Sequence, residues 1–146
     1  HAGEACGAES VRETLQVFKP SHIGHGVRAS EDESLLQKLK EKGIHLEICP
    51  TSNIQTGVYE SIQSHTVNKL YRKGLSIGIN TDGRTISDIS LKDEYIKLHR
   101  AFNWTLHHFK EVNLMALEAA FCDGSLKNKL RNRLESAYDA QINAVS

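Results

Sequence analysis

Long apolar runs are missing from this chain. Segments such as 44–49 and 75–79 fall far short of the roughly 20 consecutive apolar residues that a spanning helix needs, so no membrane partner is expected. Charge of one sign is missing too. The 18 basic residues balance the 18 acidic ones, which removes the electrostatic argument for nucleic acid or a membrane surface. The eight histidines therefore decide the sign of the charge as pH falls below neutrality. Cys6, Cys49 and Cys122 are odd in number and far apart, with no Cys-x-x-Cys pair to hold zinc or exchange electrons; a reducing, cytoplasmic setting is the expectation. The first residues lack the charged-then-apolar pattern of a secretory signal. Neither Gly-x-Gly-x-x-Gly nor a P-loop occurs, which leaves a nucleotide-binding doubly wound domain without its phosphate cradle.

What is present suits one globular domain with a core: 146 residues, 39% hydrophobic, with no linker or low-complexity tract. Val11, Leu15 and Phe18 recur at helical spacing and predict a helix over 8–19. After Pro20, SHIGHG reads as a short strand running into a loop. Residues 31–42 carry Leu35, Leu36 and Leu39 among charges and stop at Gly43, which predicts a second helix; its Lys and Glu run over 38–42 is a solvated face. Ile44, Leu46 and Ile48 alternate as a strand that Pro50 ends, and TSNIQTGVYES reads as loop. A helix over 66–73 precedes Gly74, and Leu75, Ile77 and Ile79 alternate as a strand ending at NTDGR. Ser90 and Asp93 have capping-box spacing before a helix over 91–102. From Trp104 on, only helical periodicity remains, with Leu114, Leu117 and Phe121 in one segment and Leu126, Leu130 and Leu134 in another. Such βα repetition predicts a parallel sheet with right-handed crossovers. An open doubly wound sheet and a (β/α)₈ barrel both fit, although a barrel takes about 250 residues and this chain is a little over half of that.

Each strand ends in polar residues that hydrophobic patterning does not explain: His22-Ile23-Gly24-His25-Gly26, Pro50-Thr51-Ser52-Asn53, and Asn80-Thr81-Asp82-Gly83-Arg84. His1-Ala2-Gly3-Glu4 would end a strand whose body precedes residue 1. In a parallel α/β fold these carboxyl ends share one side, where sites are built. His1 and Asp82 are candidate metal ligands, since imidazole and carboxylate are good zinc donors. His25, between two glycines, leaves room for a ligand to approach its ring. Glu4 is a candidate proton donor, or else a first-turn carboxylate favoured by the helix dipole. His22 falls on the other strand face and is read as structural. His45, His65, His99, His107 and His108 are assigned solvated or core-edge roles, and Cys49 that of a small buried hydrophobe.

HAGE, HIGHG, ICPTSNIQTG and INTDGRTIS, in this order and at these intervals, resemble the zinc-dependent adenosine deaminases of the amidohydrolase superfamily, over nearly the whole chain. The form of CPTSN-x-QTG looks more like adenosine deaminase than its adenine-deaminase relatives. The resemblance implies a partial TIM (β/α)₈ barrel over 1–146, the C-terminal half of one domain with strands six to eight and their helices, the N-terminal half being absent. It implies hydrolysis of adenosine or deoxyadenosine to the inosine product and ammonia. His1 matches a zinc-binding histidine and Asp82 the zinc-binding aspartate; Glu4 matches the acid that protonates purine N1, and His25 the histidine that orients or deprotonates the metal-bound water. One zinc ion is the implied cofactor and a small-molecule purine nucleoside the implied partner. The two remaining ligands, a His-x-His pair on the first barrel strand, have no counterpart in this sequence. The joint His-x-Glu and Pro-Cys-x-x-Cys signature of cytidine-type deaminases is absent as well. Gly83 stands where the family usually has Asp or Asn to bond purine N7, so Arg84, backbone or water takes over that contact, or substrate preference changes. A non-catalytic purine-binding module, or a deaminase of a related aminopurine, is the alternative that this departure motivates.

Overall fold

The computed structural model describes residues 1–145. Helix α1 (Ala8–Val17) leads into strand β1 (His22–Gly24), a 3₁₀ turn (Val27–Glu31) and α2 (Glu33–Glu41). Strand β2 (His45–Ile48) is followed by α3 (Pro50–Gln55) and α4 (Val67–Arg72), and β3 (Ile77–Ile79) by α5 (Arg84–Ser87) and α6 (Leu91–Phe102). Two longer helices, α7 (Leu106–Ala119) and α8 (Gly124–Val145), complete the chain.

The three strands are parallel and lie in chain order, β1-β2-β3, without reversal, as along an arc of a (β/α) barrel. Register sets Ile23 beside Leu46 and Leu46 beside Ile77, with Ile48 beside Ile79, so one face of the sheet is aliphatic. That face is buried against Val11 and Leu15 of α1, Leu35, Leu36 and Leu39 of α2, and Leu70 of α4. Each such side chain contributes about 1.5–3 kcal/mol when fully buried. Ala2 pairs in parallel with His25, which continues the arc beyond β1 and brings the HAGE segment level with the other strand ends. Trp104, fully buried in the link between α6 and α7, packs against the rings of Tyr71 and Phe109 and donates its indole N–H to Asn68 Oδ1 at 3.0 Å.

Helix α2 starts at Asp32, whose side chain accepts from the Leu35 amide. Helix α6 starts at the reciprocal Ser90–Asp93 box that the spacing predicts. Four expectations change. TSNIQTGVYES is not all loop, because Pro50 begins α3: at the first helical position its missing N–H is not needed and its fixed φ is already helical. The short α5 follows Gly83 where no helix was foreseen. The third strand begins at Ile77 rather than Leu75. Phe121 belongs to the link after α7, where its exposed ring stacks on His22 with centroids 4.3 Å apart, and Leu126 and Leu130 stay partly exposed on α8.

Candidate active site

The chain turns sharply where each strand ends. His25 and Gly26 both take left-handed backbone angles, φ 62° and 66°, a conformation that costs a non-glycine residue about 1–2 kcal/mol. The His25 amide is held by the Glu47 carbonyl at 2.9 Å, which keeps the imidazole aimed across the sheet end. Asp82 is also left-handed, with φ 57°. At Gly3 a side chain is impossible: φ is 67°, and a Cβ would lie 2.5 Å from Val11 Cγ2.

These turns bring three sequence-remote groups together. His25 Nε2 lies 3.3 Å from Glu4 Oε2 and 3.8 Å from Asp82 Oδ2. The ring is 2% exposed and the Glu4 side chain 22%, so the cluster opens to solvent on the carboxylate side. The His1 ring stands beside it, 5.2 Å from His25 between centroids, and packs against Gly24, where a Cβ would come within 3.3 Å. His1, His25, Glu47, Cys49 and Asp82 line one cavity of about 280 Å³. A larger cavity of about 560 Å³, walled by Tyr95, Ile96, Trp104 and Phe109, is apolar and includes none of the strand-end residues. Gly83 and Arg84 lie outside the small cavity. Arg84 is exposed and faces a separate one with Asp88 and Asp93.

Helix α3 supplies the supports that sequence reasoning did not assign. Glu94 of α6, fully buried, accepts the Thr51 amide at 3.0 Å, and Lys97 donates to the Thr51 hydroxyl at 2.9 Å, which fixes the first turn of α3. Burial pushes the Glu94 carboxyl above its ordinary pKa. From that turn Ser52 Oγ donates to Asp82 Oδ2 at 2.9 Å. Asn53 Nδ2 donates to Glu4 Oε1 and meets His25 Nδ1, both at 3.1 Å, and the Thr56 hydroxyl donates to Glu4 Oε1 at 3.2 Å. The Pro-Thr-Ser-Asn cluster was visible as polar residues at a strand end; which carboxylate each one holds was not.

Two histidine expectations are corrected. His65 is 3% exposed and bonds Asn53 Oδ1, while His45 is 4% exposed and bonds Ser76 Oγ at 2.8 Å. Burial pushes both down to about 4, so both are neutral at pH 7. His22, as expected, serves structure, contacting Glu47, the His45 ring and Phe121. Cys49 is buried, and desolvation together with the nearby Asp82, Glu94 and Glu4 charges pushes its thiol up to about 12, far from a nucleophilic thiolate.

The donor set suits a divalent cation. Ligand atoms of His25, Cys49 and Asp82 all lie within 4.8 Å of one another, and His1 adds a second imidazole to the same cavity. Imidazole nitrogen and carboxylate oxygen are zinc donors as they stand, whereas the Cys49 thiol would first have to lose its proton. No helix among the described residues is long and apolar enough to cross a membrane.

Known proteins share this architecture and these segments. The sequence profile of the adenosine deaminase family matches residues 1–137. An adenine deaminase of Agrobacterium fabrum is 42% identical over 137 residues, covering 94% of this chain and 42% of its own length. An adenosine deaminase of Clostridium perfringens is 36% identical over 131 residues, covering 90% of this chain and 40% of its own. The chain thus spans about two fifths of the length of these relatives. An amidohydrolase of Burkholderia ambifaria, solved with bound zinc, superposes with a TM-score of 0.88 at 21% identity, over 99% of this chain and 41% of that one. With its strands in unreversed order and the family profile matching nearly end to end, this chain is an arc of a (β/α) barrel and belongs to the adenosine deaminase family.

Proposed function

We propose that these residues form the proton-handling wall of a zinc-dependent site that hydrolyses the 6-amino group of adenosine or deoxyadenosine, releasing ammonia and the inosine product. One observation carries the reading: Glu4 and Asp82, remote in sequence, both meet His25 Nε2, at 3.3 and 3.8 Å. His1 and Asp82 are the residues of this chain that would hold zinc, with a His-x-His pair from the preceding part of the barrel as the expected remaining ligands. Zinc bound there supplies Lewis acidity that draws the pKa of a water toward neutrality. The zinc in the Burkholderia ambifaria amidohydrolase supports this choice of metal.

The other tasks belong to side chains. His25 Nε2 faces both carboxylates and orients the attacking water. Asp82, accepting from Ser52, bounds the same point from the opposite side. Glu4 delivers a proton to purine N1, which prevents negative charge from building up on the ring during attack at C6. Its Oε1 is held by Asn53 and Thr56, leaving Oε2 as the oxygen beside His25. Such positioned proton transfer accelerates reactions by about 10²–10⁴-fold.

Two observations favour keeping a second substrate in view. The Agrobacterium fabrum relative acts, by its name, on adenine, and it shares 42% of its aligned residues with this chain against 36% for the Clostridium perfringens relative. Gly83 also offers no side chain for purine N7. The test is an absorbance assay of the zinc-loaded protein that carries these residues, with adenosine and adenine in parallel. Loss of adenosine absorbance supports the reading, turnover of adenine alone moves the substrate to the free base, and conversion of neither overturns it. Uptake of adenosine or inosine without metal and without turnover would identify a binding module instead.

A further inference from the structure

The hydrogen bonds around Asn53 leave His25 no choice of which nitrogen carries its proton. The Val67 amide can only donate, and it donates to His65 Nδ1 at 3.0 Å. A neutral His65 therefore has its hydrogen on Nε2, the atom that meets Asn53 Oδ1 at 3.2 Å. That contact orients the amide. Turned the other way, Asn53 would set its NH₂ against the His65 N–H and its oxygen against the Glu4 carboxylate. In the orientation present, the two amide hydrogens go to Glu4 Oε1 and to His25 Nδ1, each at 3.1 Å. His25 Nδ1 must then accept, and the hydrogen of its ring sits on Nε2, facing Glu4 Oε2 and Asp82 Oδ2. Asn53 is fully buried and His65 is 3% exposed, so bulk water has no access to replace either partner. Packing holds the remote end: the Tyr59 ring lies 4.6 Å from that of His65.

We infer that Asn53 and His65 are positioning residues that set the tautomer and ring orientation of His25, carrying a backbone-anchored chain of donors from Val67 to the proton-handling site. Its use in catalysis rests on the deamination reading above; the tautomer itself does not. A carboxylate in the place of Asn53 would pull the hydrogen to Nδ1. The amide instead donates to His25 Nδ1, which turns the ring's Nε2–H toward the carboxylates, and it donates to Glu4 as well.

The test reads the tautomer directly. The 146-residue chain, labelled at its histidine nitrogens and kept metal-free with a chelator at neutral pH, is recorded by long-range proton–nitrogen correlation, which separates the Nδ1–H from the Nε2–H form. Both His25 and His65 are expected as Nε2–H. Asn53→Asp keeps the volume and exchanges the donor for an acceptor; His25 is expected to shift to Nδ1–H while His65 stays unchanged. An Nδ1–H form of His25 in the unmodified chain overturns the proposal, as does an unaltered His25 in a folded Asn53→Asp variant. If that variant loses its dispersed spectrum, His65→Phe serves instead: it keeps the ring, removes the donor to Asn53, and is expected to give a mixture of His25 tautomers, a single Nε2–H form there being the overturning result. Neither metal nor purine enters these measurements, so an inactive enzyme and a wrong tautomer are separate failures.

Discussion

Glu4 and Gly83 pose opposite questions to the same site, one by a side chain that is there and the other by one that is not. Replacing Glu4 by Gln removes the proton while keeping the bonds from Asn53 and Thr56, so kcat on adenosine is expected to fall at least about 100-fold. Zinc content measured on the same sample should not change; a variant that keeps its kcat would remove Glu4 from the mechanism. At Gly83 the backbone is ordinary, with φ −68°, and a Cβ would meet nothing nearer than Ile86 Cδ1 at 3.6 Å. Gly83→Asn is therefore expected to fold normally and lower KM for the purine about 5-fold, the worth of one hydrogen bond of about 1 kcal/mol. A KM that does not move in steady-state assays would show that position 83 does not face purine N7. His25 and Asp82 stood out as candidates in the sequence because each follows a strand pattern, and Glu4 because HAGE was read as one more strand end. The part played by Asn53 was not, since its partners stand 49, 28 and 12 residues away and only folding makes them neighbours.

Among the elements, α6 is the one whose capping pair was predicted from spacing. Ser90 accepts the Asp93 amide and Asp93 accepts the Ser90 amide, which satisfies two donors that an uncapped helix leaves bare. Ser90→Ala is expected to cost about 1 kcal/mol, read as a lower urea midpoint with an unchanged slope. The same loss should reach the site, because α6 also carries Glu94 and Lys97, which hold the first turn of α3. Helix α3 itself was missed for a physical reason: six residues with a proline at the front show no complete apolar period, and Pro50 signals a strand end and a helix start equally well. The stripe of α8 was legible, but its coverage was not, since α7 hides only part of it and Leu126 and Leu130 remain partly exposed.

For the molecule as a whole, buried neutral histidines set the acid limit. His45 and His65 titrate near 4 when folded against 6.5 when unfolded, so between these values the unfolded chain binds more protons and folding weakens as pH falls. Stability is expected to be flat above about pH 6.5 from this source, to decline down to about pH 4 by roughly 2–3 kcal/mol per histidine, and to lose nothing more from them below it. Urea titrations across that window check the sign; stability that rises toward pH 5 would contradict the burial of both rings. Zinc provides a second measure at this scale. Two ligands hold the ion far less firmly than four, so calorimetry on the 146-residue chain is expected to show weak zinc uptake that a chelator reverses, and tight stoichiometric binding would mean that Cys49 or another group completes the set.

The alternation of Leu46 with Ile48, the helical spacing of Leu35, Leu36 and Leu39, and the polar residues at each strand end follow from local chemistry, and they were enough to order the elements and to pick out His1, Glu4, His25 and Asp82. Backbone periodicity is a property of neighbours along the chain, which is why it can be read there. Which donor meets which acceptor is a property of neighbours in space: Asn53 between Glu4, His25 and His65, Ser52 on Asp82, Glu94 under Thr51, and the burial that makes His45 and His65 neutral. Those contacts exist only once the parallel strands are in register and their ends share one rim, so tertiary structure alone decided them.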